Sequence, residues 1–172
     1  MFAPHWRSDA RGVIVGLTQY TRREHICRAT LEAVAFQVYE ILLAMEKDSG
    51  HRLKALLVDG GMTKNDLLMQ IQADFNGNFP FYRIALGVKK TLNYFKYLII
   101  SGIDVIRPAM AETTSLGAAM AAAISMKLWS PPKENVQSSS SKAFKPQMQT
   151  ELRDAKFKRW SQAIQRSLGW EN

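Results

Sequence analysis

Residues 59–65 read Asp59-Gly60-Gly61-Met62-Thr63-Lys64-Asn65, and they lie between a short apolar run, residues 55–58, and a helical pattern of apolar residues. A strand, a double glycine and a helix N-terminus form a frame that can hold a nucleotide, because glycine lets the backbone approach a flat ring or a phosphate without a Cβ. The first N–H groups of the helix add donors and partial positive charge. Most strand-to-helix glycines serve only the turn, so spacing alone leaves a purely structural role open.

Apolar periodicity predicts a long amphipathic helix before this turn. A capping-box pattern, with Thr21 as the cap and Glu24 reaching back, marks its start, and it runs to about Lys47 before Gly50 ends it. The strand at residues 55–58 is expected to be buried on both faces of an α/β sheet. Thr63 is expected to cap the helix that follows the turn.

Two more helices are predicted in the second half of the chain. The first, about residues 113–128, is rich in alanine, which permits close approach of another helix; packing on the sheet is the alternative. Ser130-Pro131-Pro132 is expected to end it, and the serine run at 138–141 to form a flexible loop. The final helix, about residues 152–168, has an apolar face and is expected to dock on the rest of the chain.

Composition narrows the classes of protein. The 172 residues are 47% hydrophobic and 22% charged, which is typical of a globular domain. The net charge of +8 is spread along the chain without a recognisable nucleic-acid module, so no nucleic-acid partner is expected. No apolar run approaches the roughly 20 residues of a membrane span. The single cysteine, Cys27, falls on the apolar stripe predicted for the first helix, which also contains Leu31, Val34, Val38, Ile41 and Met45. It is therefore predicted to be a buried packing thiol, and one cysteine suits a reducing, cytoplasmic compartment.

Motifs for metal binding and catalysis are missing from the sequence pattern. The three histidines are scattered, no zinc spacing occurs, and no P-loop or dinucleotide glycine motif is found. Glu32 and Asp59 lack an obvious second carboxylate, so we predict a structural role for Glu32 and a turn-shaping role for Asp59. We therefore expect no catalytic residue and no metal ligand in this chain.

Longer stretches resemble the FGGY carbohydrate kinases. Gly12-Val13-Ile14-Val15-Gly16-Leu17, with His25-Ile26 and Ala29-Thr30-Leu31-Glu32, resembles the second signature of that family. Residues 58–65, residues 107–119 and the ending from Trp160 to Trp170 look like the glycerol kinase branch of it. The similar stretches come in the family's order and cover nearly the whole chain except about residues 78–102.

The resemblance implies a fold and a reaction. The fold is α/β, part of an actin-like (ribonuclease H-like) ATPase domain with a sheet flanked by helices. The reaction is phosphorylation of glycerol to glycerol 3-phosphate by ATP with Mg²⁺, and Gly60, Gly61 and Asn65 are implied at the adenine and ribose side of ATP. The phosphate loop, the glycerol-contacting residues and the catalytic aspartate of the family lie upstream of the part matched here. The chain alone is therefore expected to be inactive and to bind glycerol only together with the missing lobe. A homo-oligomer is possible.

Other functions remain open beside this one. The chain can be a catalytically inactive fragment or isoform that acts as an interaction or regulatory module. It can also belong to another FGGY kinase that acts on a pentulose or polyol. The predicted organisation is a kinase lobe over residues 1–129, a flexible loop over 130–143 and a docking helix over 144–172.

Residues 78–102 interrupt the family pattern. More than half of them are Phe, Tyr, Ile, Lys or Asn, whose codons are AT-rich. The codons of Asn76-Gly77-Asn78 and of Ile100-Ser101-Gly102 permit splice borders, and excision would join Asn76 and one glycine to Ile103. We hypothesise a retained intron or a gene-model error; the alternative is a real insertion that forms a surface helix.

Overall fold

In the computed structural model the described residues are 1–51, 53, 55–77, 103–109, 112–130 and 141–171. Their elements follow in the order α1 (Arg23–Ser49), β1 (Ala55–Leu57), a 3₁₀ turn (Gly61–Lys64), α2 (Asp66–Asn76), β2 (Asp104–Pro108), α3 (Thr113–Ser125), β3 (Ser141–Phe144) and α4 (Thr150–Arg166). The predicted insert at 78–102 and most of the predicted serine loop lie outside the described residues.

The three strands form one sheet in the order β1-β2-β3. β1 and β2 are parallel, with Leu57 opposite Ile106, and β3 runs antiparallel to β2, with Phe144 opposite Val105. The crossover between the parallel strands contains α2. This mixed arrangement of helices and a small sheet confirms the predicted α/β class.

The strand β1 is less buried than the sequence predicts. Leu57 is 70% exposed and Ala55 is also exposed, while only Leu56 packs on the core. The expectation of burial on both faces is wrong, because β1 lies at the edge of the described sheet and only one of its faces meets a helix.

The core lies in two clusters on either side of α2. On one side, Phe36 of α1 contacts Phe75 of α2, with ring centroids 4.1 Å apart, and stacks on Trp160 of α4 at 5.2 Å. On the other side, Leu68, Met69 and Ala73 of α2 pack on the sheet at Val105 and Phe144. The helix α2 is therefore the middle layer between the sheet and the α1 and α4 helices.

The buried face of α1 differs from the predicted stripe. The buried residues are Ala35, Phe36, Tyr39 and Leu42, mostly one position along from the expected ones. Cys27 is exposed, so the prediction of a buried packing thiol is wrong. The reason is that α1 is covered only in its middle, where α2 and α4 contact it, whereas residues 23–30 are all exposed.

The ends of α1 are partly as predicted. Its N-cap is Arg22 rather than Thr21, and the Arg22 N–H donates to His25 Nδ1 at 3.1 Å, so His25 takes the part predicted for Glu24. At the other end Gly50 adopts the left-handed conformation, with φ 66°, and its N–H donates to the Glu46 carbonyl. Gly50 is confirmed as the residue that ends the helix.

The alanine-rich helix α3 has no buried residue. Neither of the expected packings, against another helix or on the sheet, gives it a buried residue within the described ranges. It ends at Ser125, before the predicted stop at Ser130, and Lys127 just beyond has a positive φ of 58°. Its apolar side chains Leu116, Met120 and Ile124 are exposed.

The C-terminal region forms a strand and a helix. Ser141–Phe144 pairs with β2, although the sequence predicts a loop through residue 143; the strand is too short to show a clear alternation, and the burial of Phe144 on α2 holds it. The helix α4 contacts α1, where the Phe157 ring meets Tyr39 edge-on at 4.9 Å. In the part of the chain that the structure describes, no helix has the length and apolar character to cross a lipid bilayer.

Candidate nucleotide-binding turn

The glycine turn, residues 59–65, leaves the sheet at the C-terminal end of β1. The Val58 N–H donates to the Ile106 carbonyl at 3.0 Å, which extends the pairing of β1 and β2 up to the start of the turn. In open α/β sheets ligands bind beyond the carboxyl ends of parallel strands. The turn therefore occupies the part of the sheet where a ligand is expected.

Gly60 and Thr63 shape the turn. Gly60 has φ 91° and ψ 173°, a backbone conformation that is essentially restricted to glycine. Its carbonyl accepts two hydrogen bonds from Thr63, one from the N–H at 3.1 Å and one from Oγ1 at 2.7 Å. Thr63 thus folds the turn. The prediction that Thr63 caps α2 is wrong, because the N-cap is Asn65. The Asp59 side chain is exposed, and the turn-shaping role predicted for it stays a prediction.

Both glycines face open space. A Cβ built on Gly60 or on Gly61 would meet no heavy atom within 4 Å. The internal packing of the described residues therefore gives no reason for glycine at position 61, where φ is not positive. Open backbone at this place leaves room for a flat ring to approach closely.

Asn65 is the N-cap of α2. Its Oδ1 accepts a hydrogen bond from the Leu68 N–H at 3.1 Å, which satisfies one of the free donors of the first helical turn. The cap fixes the orientation of the side-chain amide. Its Nδ2 donates to no partner among the described residues. The sequence predicts a side-chain amide with a donor and an acceptor that can both contact a ligand. In the structure the acceptor, Oδ1, is used by the helix cap, and only the donor, Nδ2, can contact a ligand.

An ion-pair network supports the turn from the sheet. Arg107 Nη1, on β2, donates to the Thr63 carbonyl at 2.6 Å and to Asp66 Oδ1 at 2.8 Å. Lys142 Nζ, on β3, donates to Asp66 Oδ2 at 2.6 Å. Hydrogen bonds from Lys142 and then from Arg107 lower the pKa of the Asp66 carboxyl. Sequence reasoning missed this network, because Asp66 shows in sequence only as an acidic residue in the first turn of a helix.

Glu32 lies in a different network. It accepts hydrogen bonds from Arg28 of α1 at 2.9 Å and from Lys156 of α4 at 2.8 and 3.0 Å. The bonds from Lys156 join the two helices, which gives Glu32 the structural role that the sequence predicts.

The carboxylates of the described residues do not form a ready-made metal cluster. Within the described ranges no group of three or more His, Cys, Asp or Glu side chains is placed to hold a metal ion. Asp66, the carboxylate that directly follows the turn, is already shared between two cations. The turn itself has open backbone at Gly60 and Gly61 and an amide donor at Asn65, which are groups of the kind that contact nucleosides.

The sequence comparison defines the class of protein. Residues 1–85 match the C-terminal domain of the FGGY family of carbohydrate kinases, a range that includes the glycine turn. The chain belongs to this family and corresponds to its C-terminal part.

Within the family the chain is similar to glycerol kinases. It is 44% identical to glycerol kinase from Saccharopolyspora erythraea over 172 residues, which are 99% of this chain and 29% of that protein. It is also 44% identical to glycerol kinase from Chloroflexus aurantiacus over 171 residues, with the same coverage. The chain thus spans about 29% of the length of the curated relatives it matches.

Solved structures agree on the fold. Ligand-bound xylulose kinase from Lactobacillus acidophilus superimposes with a TM-score of 0.59 at 20% identity, covering 95% of this chain and 28% of that one. Gluconate kinase from the same organism gives 0.57 at 19% identity, covering 94% and 27%. These similarities establish the partial actin-like ATPase fold.

Proposed function

We propose that this chain is the part of a glycerol kinase-type enzyme that contacts the adenosine of ATP. The observation that carries the proposal is the glycine turn. Gly61 faces open space there, and the Asn65 side chain, whose oxygen caps α2, ends the same turn. The similarity to glycerol kinases at 44% identity supports the choice of enzyme.

Gly60 and Gly61 supply the surface for the nucleoside. Because neither glycine has a neighbour at its Cβ position, a base or ribose can lie against the backbone between β1 and α2. A Cβ at position 61 would enter that space without meeting a heavy atom within 4 Å. The glycine is therefore explained by a ligand better than by packing.

Asn65 supplies a directional contact. Its oxygen caps α2, so the side-chain nitrogen is held in one place and can donate to an acceptor atom of the base or the ribose. One such hydrogen bond contributes about 0.5–1.5 kcal/mol, which corresponds to a several-fold change in affinity.

The complete reaction requires more than this chain. Transfer of a phosphoryl group from ATP to glycerol, giving glycerol 3-phosphate, depends on positioning and on charge neutralisation, for which Mg²⁺ is the usual ion. We place the Mg²⁺ ligands, the catalytic base and the glycerol site in the portion of the relatives that this chain does not span. A cytoplasmic location and the absence of a nucleic-acid partner belong to the same proposal.

The alternative is an inactive interaction or regulatory module. It is favoured by the exposed apolar side chains of α3. Both functions assume that this chain lacks the catalytic groups, which is tested by a coupled ADP-release assay on the 172-residue chain with ATP, Mg²⁺ and glycerol; binding of ATP is the property that separates the two. We expect no glycerol-dependent turnover, and turnover above background would contradict the assignment of the missing groups.

The adenosine site is tested by titrating the isotope-labelled chain with ATP and following the backbone amides of residues 60–68 by NMR. Asn65→Asp retains an oxygen for the α2 cap and removes the donor, so we expect several-fold weaker binding with the helix intact. Gly61→Val should weaken binding further. Cys27→Ser, an exposed residue of α1, is the matched control and should bind like the unaltered chain. If millimolar ATP leaves residues 60–68 unperturbed, the adenosine assignment is wrong.

A further inference from the structure

Arg107 connects the sheet to the glycine turn. Its Nη1 donates to the Thr63 carbonyl inside the turn at 2.6 Å and to Asp66 just after it at 2.8 Å. Its guanidinium also lies 5.5 Å from the ring centre of Phe144, on the neighbouring strand β3. Arg107 therefore contacts the turn through Thr63 and is itself positioned by the neighbouring strand through Phe144.

The contact with Thr63 is unusual among the bonds of the turn. In the part of the chain that the structure describes, Arg107 is the one side chain from outside residues 58–69 that bonds to the backbone of residues 60–65. The other backbone bonds of this segment are local: the N–H groups of Thr63, Asn65 and Met69 donate to the carbonyls of Gly60, Met62 and Asn65, respectively. Without Arg107 the turn would depend on these local bonds and on its two flanking elements.

The ion pairs of Asp66 with Arg107 and Lys142 contribute too little to the stability of the fold to explain why Arg107 contacts the turn. Asp66 is 54% exposed and Lys142 is 53% exposed, and exposed pairs of this kind contribute little to folding. Arg107 is less exposed, at 21%, and its bond to Thr63 ends on a buried residue. A charged donor on a backbone carbonyl fixes that carbonyl more firmly than a neutral one would.

We propose that Arg107 is a positioning residue for the nucleotide, which rests on the proposed adenosine site. By holding the Thr63 carbonyl, it fixes the peptide units between Gly61 and Asn65. The position of Arg107 in the sheet then helps to determine the orientation of the Gly61 backbone and of the Asn65 cap. Arg107 acts through Thr63 and has no contact with the nucleotide in this proposal.

The test compares three variants of the full chain. Arg107→Met retains an apolar stem for Phe144 and removes the donors; Arg107→Lys restores a cation and a donor. Lys142→Met is the control, because it removes the other partner of Asp66 and leaves the Thr63 bond intact. For each variant, hydrogen exchange at the amides of Thr63, Asn65 and Leu68, the ATP dissociation constant and the urea unfolding midpoint are measured.

We expect Arg107→Met to speed exchange at these three amides and to raise the ATP dissociation constant several-fold, with the unfolding midpoint nearly unchanged. Arg107→Lys should recover part of both effects, and Lys142→Met should show neither. Unchanged exchange, faster exchange with unchanged affinity for ATP, or a general loss of stability would each overturn the positioning role. If the unaltered chain binds no ATP, the adenosine site itself fails, while the exchange data still report whether Arg107 orders the turn.

Discussion

The Ile103 N–H donates to the Asn76 carbonyl at 3.2 Å, although residues 77–102 lie between them in sequence. Both residues are buried, Ile103 in the cluster around Phe36 and Asn76 at the end of α2. The chain therefore leaves the core at Asn76 and returns to it at the same point. A bond from an N–H to the carbonyl two residues earlier is that of a γ-turn, so Gly77 alone is long enough to link the two residues.

Deletion of residues 78–102, which joins Gly77 directly to Ile103, should preserve the fold. The physical reason is that the ends already meet, so α2 and β2 keep their positions and the entropic cost of bringing these ends together across residues 78–102 is removed. We expect an unchanged or higher thermal midpoint and a larger soluble yield, measured by circular dichroism and by size-exclusion chromatography.

The control for this deletion replaces residues 78–102 with a glycine-serine linker of the same length. A deletion variant that is less stable than the linker variant would show that the connection is strained, and a loss of stability in both would identify 78–102 as an integral element. The retained-intron hypothesis is separate. Codons at Gly77 or at Ser101 that are incompatible with splice borders would exclude it.

Gly77→Ala should destabilise the chain. A Cβ at this position would lie 2.7 Å from the Pro146 Cβ and 3.2 Å from the Asp74 carbonyl oxygen, both of which are held by surrounding structure. Overpacking of this kind costs about 1–3 kcal/mol. Gly61→Ala is the matched control, because its Cβ would meet nothing within 4 Å and its stability should be close to that of the unaltered chain. Equal urea midpoints for the two variants would contradict the close packing at Gly77.

Trp160→Phe should be neutral or stabilising. The indole Nε1 of Trp160 is buried and has no hydrogen-bond partner among the described residues. A buried unsatisfied donor costs about 1–3 kcal/mol, and phenylalanine removes it while keeping a ring next to Phe36. Trp160→Ala, which also removes the ring, should lose about 3–5 kcal/mol. A clear loss of stability in Trp160→Phe, measured by urea denaturation, would mean that the indole N–H has a partner.

Local sequence signals predicted the helices and strands correctly where the conformation of one or two residues determines where an element ends. Gly50 ends α1 because its αL conformation suits glycine, and the strand, glycine turn and helix at residues 55–76 follow from apolar runs separated by two glycines. The fold class followed from the same strand and helix pattern together with the family resemblance.

The errors come from contacts that depend on distant residues. Cys27 shares the helical spacing of the apolar stripe but lies beyond the part of α1 that α2 and α4 cover, which periodicity does not show. Thr63 and Asn65 are both good caps, and the choice between them depends on the 3₁₀ turn that Gly60 starts. Arg107 and Lys142 meet at Asp66 only because β2 and β3 are neighbours in the sheet.

The Asp66 ion pairs predict how the stability depends on pH. Hydrogen bonds from Lys142 and Arg107 lower the pKa of Asp66 below its ordinary value of 3.8. A carboxyl with a lowered pKa in the folded state stabilises the fold above its unfolded-state pKa, and that contribution is lost as the pH falls through the folded-state value. The thermal midpoint of the unaltered chain should therefore exceed that of Asp66→Asn at neutral pH, and the two should converge below about pH 4. The difference should be small, since the pair is exposed, and smaller still in high salt or in a Lys142→Met background. A difference that persists unchanged at pH 2 would show that Asp66 acts through packing or helix capping and not through its charge.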